Sequence, residues 1–495
     1  MQARIPLATM SLLALWPFTS FLNNNQDDVL IYGGAVSLYG LIFLAGVLLA
    51  AVLAISFLGR ARASAVAHVL GVGSVLLFSY LPLSSLLSVL GISLGSIRIA
   101  IWMVISLFIL ILVWRASRFR QTSQVLAMVA LVIMVVPLLG LANFFLRGST
   151  GIASETEMSV AEPHLQPNVY WFVFDAYSRS DVLEDYFGYD NSGFLDALGE
   201  RSFEVAKGSL ANYASTKLSI STTATMEYFI PVDAPLHPSM WTARLQGFNP
   251  VVKRFRSLGY DYIHAEPGGN NLKTRCGGVE DICVKSTPLG VISISEAEVG
   301  LLQLTPAFPV IRRLFPSLLS FDFTNVGDVT ARLDFGSQKP FFLFAHILSP
   351  HPPQRFDAKC SLLARVEFDL SGEDYSKLAE DYLNDLRCLN GHILEAVDLI
   401  LANDQSDPII VLQSDHGFRG KGLRPVRSTV RVAPELISYA NLHAMRLPES
   451  CNNGKIDDFS LVNTFRIVLP CVDGKSRELL PTRKFRKKNG ALHAF

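Results

Sequence analysis

Asp175, His346, His351, Asp415 and His416 are residue types that hold divalent cations or move protons, and all five stand in similar places in the chain. Residues 168–174 read Asn-Val-Tyr-Trp-Phe-Val-Phe directly before Asp175. Residues 341–345 read Phe-Phe-Leu-Phe-Ala before His346, with His351 shortly after. Residues 408–414 read Pro-Ile-Ile-Val-Leu-Gln-Ser before the Asp415-His416 pair. Such nearly unbroken apolar runs suit parallel strands covered on both faces. Ligands of open α/β sheets sit just beyond the carboxyl ends of such strands. Three distant segments therefore deliver Asp or His to one sheet edge, the pattern of an enzyme with a metal site.

Each residue also admits a plainer reading. A carboxylate at the end of a buried strand is costly unless it is paired or metal-bound, yet Asp175 could simply cap the next helix. Asp415 and His416 would point to opposite faces of a regular strand; both reach one metal only if the backbone turns, which Gly417 would permit. Residues 212–219, Asn-Tyr-Ala-Ser-Thr-Lys-Leu-Ser, precede a predicted helix. There Ser215 or Thr216, beside Lys217, could present an oxygen to an oxyanion at a helix N-terminus, or could be an ordinary N-cap. His346 and His351 flank Ser349-Pro350, with Pro352-Pro353 stiffening the loop. One of them could donate a proton to a leaving group or hold an anionic substrate.

The positioning elements follow from composition. The chain has 495 residues, with 43 basic and 43 acidic side chains, and no nucleic-acid partner is expected. Residues 1–150 are overwhelmingly apolar. A hydrocarbon core of about 30 Å needs about 20 apolar residues in a helix. The stretches 5–22, 29–59, 65–97, 99–114 and 121–146 are therefore predicted as five transmembrane helices, with Pro82 inside the third. Arg60 and Arg62 lie in the second connection, and Arg115, Arg118 and Arg120 in the fourth. Basic residues mark the cytoplasmic side. The N-terminus is then inside and everything past residue 147 outside, with the first helix kept as an anchor.

All six cysteines fall after the membrane region, as an extracytoplasmic domain with disulfides would have them. Proximity favours Cys276–Cys283, Cys360–Cys388 and Cys451–Cys471. No Cys-x-x-Cys spacing suggests a cysteine zinc site. The predicted organisation is a transmembrane domain over 1–147, a linker over 148–166, and an α/β domain over 167–495 with a mainly parallel central sheet. A long amphipathic helix is predicted over 376–401, and the tail 475–488 is basic.

The ordered set Asp175, Ser215-Thr216-Lys217-Leu218-Ser219, Ser349-Pro350-His351-Pro352 and Ser414-Asp415-His416-Gly417 resembles the sulfatase-like branch of the alkaline phosphatase superfamily. Membrane helices ahead of such a domain resemble the phosphoethanolamine transferases and lipoteichoic acid synthases. The resemblance implies one divalent metal, Zn or Mn, held by Asp175, Thr216, Asp415 and His416. It implies Thr216 as nucleophile, with Ser215 the second choice, and His351 assisting the leaving group. His346, Lys217 and Ser215 would bind substrate. The implied reaction moves a phospholipid headgroup, of phosphoethanolamine or phosphoglycerol type, onto an envelope glycan or glycolipid through a phospho-threonine. The implied location is the inner membrane, multi-pass, with the catalytic domain periplasmic. The alternative is a membrane-anchored phosphate- or sulfate-ester hydrolase using the same site. No cysteine lies between residues 1 and 275, so the Cys-x-Pro-Ser-Arg element of true sulfatases is missing, as is their Gly-Lys-Trp-His element.

Overall fold

The computed structural model describes residues 4–92, 94–148, 164–268, 274–287, 292–315, 319–320, 324–352, 354–363, 375–419, 423–451 and 459–495. The chain divides into two compact units. Residues 149–163, most of the expected linker, lie outside the described residues.

The first unit holds α1 (Arg4–Asn24), α2 (Val29–Leu58), α3 (Ala63–Leu77), α4 (Tyr80–Val89), α5 (Gly95–Ala116) and α6 (Arg120–Arg147). Four of these are long and apolar enough to cross a membrane, or five spans if the pair α3 and α4, bent by 50°, counts as one. The break at Phe78-Ser79 leaves Pro82 in the first turn of α4, where a missing N–H costs no helical bond. α1 packs against α2, α3 and α6 and buries Met10, Leu13, Ala14 and Phe18. By contrast α2, α5 and α6 expose leucine, valine and phenylalanine. A Cβ on Gly71 would stand 2.9 Å from the Met10 Cα, so a bare glycine lets α3 approach α1 closely.

The second unit carries β1 (Val169–Phe174), β2 (Glu204–Val205), β3 (Asp261–Ala265), β4 (Ile282–Val284), β5 (Ile292–Ser293), β6 (Leu319–Ser320), β7 (Phe341–Ile347), β8 (Ile409–Ser414), β9 (His443–Arg446), β10 (Phe485–Lys488) and β11 (Ala491–Ala494). Seven form one sheet in the order β2-β9-β8-β1-β7-β3-β4. The strands from β8 to β4 run parallel, while β9 is antiparallel to both neighbours. The mainly parallel sheet predicted from the apolar runs is present.

Helices cover both faces. The helices after the first unit are α7 (Ser180–Phe187), α8 (Ser192–Glu200), α9 (Thr216–Thr225), α10 (Thr242–Leu245), α11 (Pro250–Ser257), α12 (Glu296–Gln303), α13 (Ala307–Leu314), α14 (Val326–Thr330), α15 (Tyr375–Asn403) and α16 (Thr464–Asp473). Of these, α12 and α13 fall in residues 294–319, which group with the N-terminal helices. The expected division at 147 and 167 did not anticipate this excursion.

Side-chain alternation splits the buried strands between two cores. Val169, Trp171 and Val173 share one with Phe342, Phe344, Ile409 and Val411, and with Leu218 and Ile220 of α9. Tyr170, Phe172 and Phe174 share the other with Leu343, Ile347 and Leu412, and with Leu386 and Ile393 of α15. Each core aromatic buried in this way contributes on the order of 1.5–3 kcal/mol. The three cysteine pairs expected from proximity are formed: Cys276–Cys283, Cys360–Cys388 and Cys451–Cys471.

Candidate active site

The parallel register brings the candidate residues together. Phe174 lies beside Ile347 on one side and Ser414 on the other. Asp175 and Asp415 are thus each one step past adjacent strands. His346 pairs across from Val173. Alternation puts Asp175, His346 and Asp415 in phase with the core that contains α9.

Asp175, His346 and Asp415 are buried, and their ligand atoms lie within 4.8 Å of one another. His346 Nε2 is 3.7 Å from Asp175 Oδ2. His416 Nε2 is 3.6 Å from Asp175 Oδ1 and 3.4 Å from Asp415 Oδ2. Thr216 Oγ1 is 3.4 Å from the same His416 nitrogen.

Backbone and second partners fix these orientations. Asp415 Oδ1 accepts the N–H groups of Ala176 (3.1 Å) and His416 (2.9 Å), leaving Oδ2 without a hydrogen bond among the described residues. The Ser414 hydroxyl donates to the His416 carbonyl at 2.6 Å and accepts from Tyr177 N–H at 2.9 Å, which holds the turn. Gly417 serves differently from the sequence expectation. Its φ is not positive; a Cβ there would stand 2.2 Å from the Ile437 carbonyl and 2.5 Å from that of Ala440. Close approach, not turn freedom, demands glycine.

Burial keeps both imidazoles neutral. Burial first, then the Arg419 guanidinium, push His416 well below its ordinary value. Its Nδ1–H donates to the Gly417 carbonyl at 2.8 Å, so Nε2 presents a lone pair toward two carboxylate oxygens. Those oxygens and that lone pair repel unless a cation lies among them. His346 Nδ1 is 2.9 Å from Thr274 Oγ1, its buried Nε2 has no hydrogen-bond partner among the described residues, and burial lowers the ring's pKa to about 4. Two carboxylates, two such nitrogens and a hydroxyl fit a divalent cation of the zinc or manganese kind.

Ser215 and Thr216 open α9, whose first core residue is Leu218. Ser215 is the N-cap and makes no side-chain capping bond, so the plain capping reading does not hold for its hydroxyl. Thr216, the next residue, faces His416. Lys217 is in the same first turn, where amide donors and the helix dipole favour an anion.

His351 stands outside the carboxylate cluster. The Ser349–Pro350 peptide before it is cis. Its Nδ1–H donates to the Pro352 carbonyl at 2.5 Å, and its Nε2 accepts from Arg419 at 3.2 Å. Burial and the Arg419 charge hold this ring below its ordinary value.

Three supporting residues escaped the sequence reading. Arg419 reaches His351 from three positions past His416. Thr274 orients His346. Asp385, deep in α15, accepts the Ser349 hydroxyl and the N–H groups of Arg355 and Phe356, each at 2.8 Å, and so pins the loop bearing His351. Only Arg419 carried a signal, its closeness to the Asp-His pair; the other two sit in stretches without motif character.

No family model and no curated protein matches this sequence. Among solved structures, the chain is similar to the C-terminal periplasmic domain of EcEptC from Escherichia coli at 13% identity, covering 69% of this chain and 97% of that one, with a TM-score of 0.40. It is similar to a protein in the alkaline phosphatase superfamily from Vibrio parahaemolyticus at 13% identity, over 70% and 81% of the two chains, with a TM-score of 0.42. The soluble domain of lipooligosaccharide phosphoethanolamine transferase A from Neisseria meningitidis matches at 12% identity over 64% and 93%, with a TM-score of 0.36. A likeness this distant assigns neither a reaction nor a substrate to this chain.

Proposed function

We propose that this chain is a membrane-anchored, metal-dependent phosphotransferase of the sulfatase-like kind. It transfers a phospholipid headgroup, of phosphoethanolamine or phosphoglycerol type, to an envelope glycan or glycolipid. The observation that carries the reading is the placement of a hydroxyl, Thr216 Oγ1, at the start of α9 and 3.4 Å from an imidazole that also faces two buried carboxylates.

In this reading Asp175, Asp415, His416 and Thr216 would hold one divalent ion, and His346, whose ligand atom lies within 4.8 Å of those of Asp175 and Asp415, could join them. When bound, the ion supplies Lewis-acid stabilisation and lowers the pKa of a coordinated hydroxyl. Thr216 Oγ1 attacks the phosphorus of the headgroup diester. The bond from phosphorus to the diacylglycerol oxygen breaks, and the neutral lipid leaves with a proton. The Lys217 side chain and the first amides of α9 receive the phosphoryl oxygens, with Ser215 beside them. An acceptor hydroxyl then attacks the phospho-threonine and frees Thr216. His351, neutral and bonded to Arg419, stands to pass a proton as these oxygens exchange. The arginine distribution and the three disulfides support an inner-membrane protein whose α/β unit faces the periplasm.

The test is mass spectrometry of the purified full chain after incubation with headgroup-labelled phosphatidylethanolamine or phosphatidylglycerol. A headgroup-phosphate adduct on the Thr216 peptide, chased onto an added glycolipid, is the expected result. Release of free phosphorylated headgroup into water without an acceptor would make the chain a hydrolase. No adduct and no turnover with either lipid would overturn the assignment.

A further inference from the structure

Residues 294–319 leave the α/β unit after β5, return at β6, and belong to the helical unit between. The attachment is specific. Ser295 caps α12 in a capping box with Glu298, and the Glu298 carboxylate also accepts the hydroxyl of Tyr39 from α2. The Leu304 carbonyl accepts the N–H groups of Tyr80 (3.1 Å) and Leu81 (3.4 Å). These open α4, where helical donors lack partners of their own. Gly300 faces the Phe21 ring, 3.1 Å from where a Cβ would stand.

The helix that follows, α13, has an inverted surface. Its Phe308 is buried, while Val310 is 42% and Leu314 62% exposed, with Phe315 beyond them at 57%. Ala307, Val310 and Leu314 recur at three and four residues, so one helical stripe is apolar and uncovered. Arg312 and Arg313 flank it, and no acidic residue occurs from 299 to 321. An apolar stripe flanked by arginines is the composition of a helix lying in a membrane interface. Here the stripe belongs to the same unit as helices whose exposed faces are also apolar.

We infer that α13 is an interfacial anchor whose Val310–Leu314–Phe315 face is covered by lipid of the outer leaflet, with Arg312 and Arg313 at the level of the phosphates. The occupant is lipid for two reasons: the stripe belongs to the same compact unit as helices with uncovered apolar faces, and its flanking charges complement phosphate. The inference rests on the membrane reading of the N-terminal helices.

The test uses the full chain in nanodiscs of phosphatidylethanolamine and phosphatidylglycerol. All six native cysteines are in disulfides, so one introduced thiol can carry a spin label. Leu314→Cys is compared with Leu53→Cys on the exposed face of α2 and Glu395→Cys on exposed α15. Val310→Cys repeats the measurement should Leu314→Cys fail to fold. The expected result is a label at 314 that collides with oxygen and is shielded from a water-soluble nickel chelate, as at 53. Nickel access at 314 matching that at 395, with 53 still shielded, overturns the anchor and leaves the membrane reading intact. Shielding at 314 from both reagents also overturns it, since protein would then cover the stripe. Nickel access at 53 overturns the membrane reading and the anchor with it.

Discussion

His346 Nε2 lies 3.7 Å from Asp175 Oδ2, while the other nitrogen of the same ring is 2.9 Å from the Thr274 hydroxyl. The ring is buried and held from one side, with its free nitrogen directed at a carboxylate. That is the posture of a metal ligand with an outer partner. The sequence suggested a substrate-binding histidine at this position; its burial favours a place in the cation's own shell.

His346→Ala is therefore expected to weaken metal binding and not only substrate binding. Thr274→Val, which removes only the orienting hydroxyl, should lower metal affinity on the order of 10–100-fold. Competition with a chromogenic chelator measures both. Unchanged affinity in both variants would return His346 to the substrate.

Thr216→Ala should abolish turnover and the covalent adduct while the metal content stays near wild type, because both carboxylates and both imidazoles remain. Thr216→Ser keeps the oxygen and should retain part of the rate. Ser215→Ala should remain active, since that hydroxyl makes no capping bond. Dead Ser215→Ala beside active Thr216→Ala would move the nucleophile by one residue.

Asp385 accepts three hydrogen bonds from the loop that bears His351. Burial raises its pKa, against the pull of Arg355 and of these donors. Asp385→Ala leaves two buried amides without an acceptor, at a cost of about 1–3 kcal/mol each. The expected outcome is a lower melting temperature and a fall in kcat, with the metal retained. Metal loss would place Asp385 closer to the cation than the hydrogen bonds indicate.

His443 sets a pH dependence away from the metal. It is buried, stacked on Phe459 at 3.8 Å, and neither ring nitrogen has a hydrogen-bond partner among the described residues. Burial lowers its pKa from 6.5 to about 3. The unfolded chain therefore takes up a proton that the folded chain refuses. Stability is full above pH 6.5 and falls as pH drops toward 3, by about 1.4 kcal/mol per unit. His443→Leu should flatten thermal stability measured between pH 6 and 4 by about one proton. An unchanged slope would mean that the ring finds a partner when charged.

Much of this protein is local in origin and could be read from the chain. Runs such as Val169–Phe174 and Ile409–Ser414 are apolar on both faces, so they announce buried parallel strands and mark Asp175 and Asp415 as strand-end residues. The membrane helices follow from composition, and the three disulfides from close spacing. The start of α9 at 215–216 was also legible, because Ser and Thr are preferred where a helix begins.

What tertiary structure decided depends on neighbours far apart in sequence. The order β8-β1-β7 places three strand ends side by side, and shared parity turns Asp175, His346 and Asp415 to one face. No single run encodes that order. Asp385 and Thr274 matter only because folding brings α15 and the stretch after β3 against the site; alone they are a helix residue and a loop residue. The excursion at 294–319 was invisible for the same reason. Its two short helices read as part of an α/β domain until Glu298 meets Tyr39 and Leu304 meets Tyr80. Hydrophobic period reveals which residues must be buried, but the partner that buries them is chosen by packing across the whole chain.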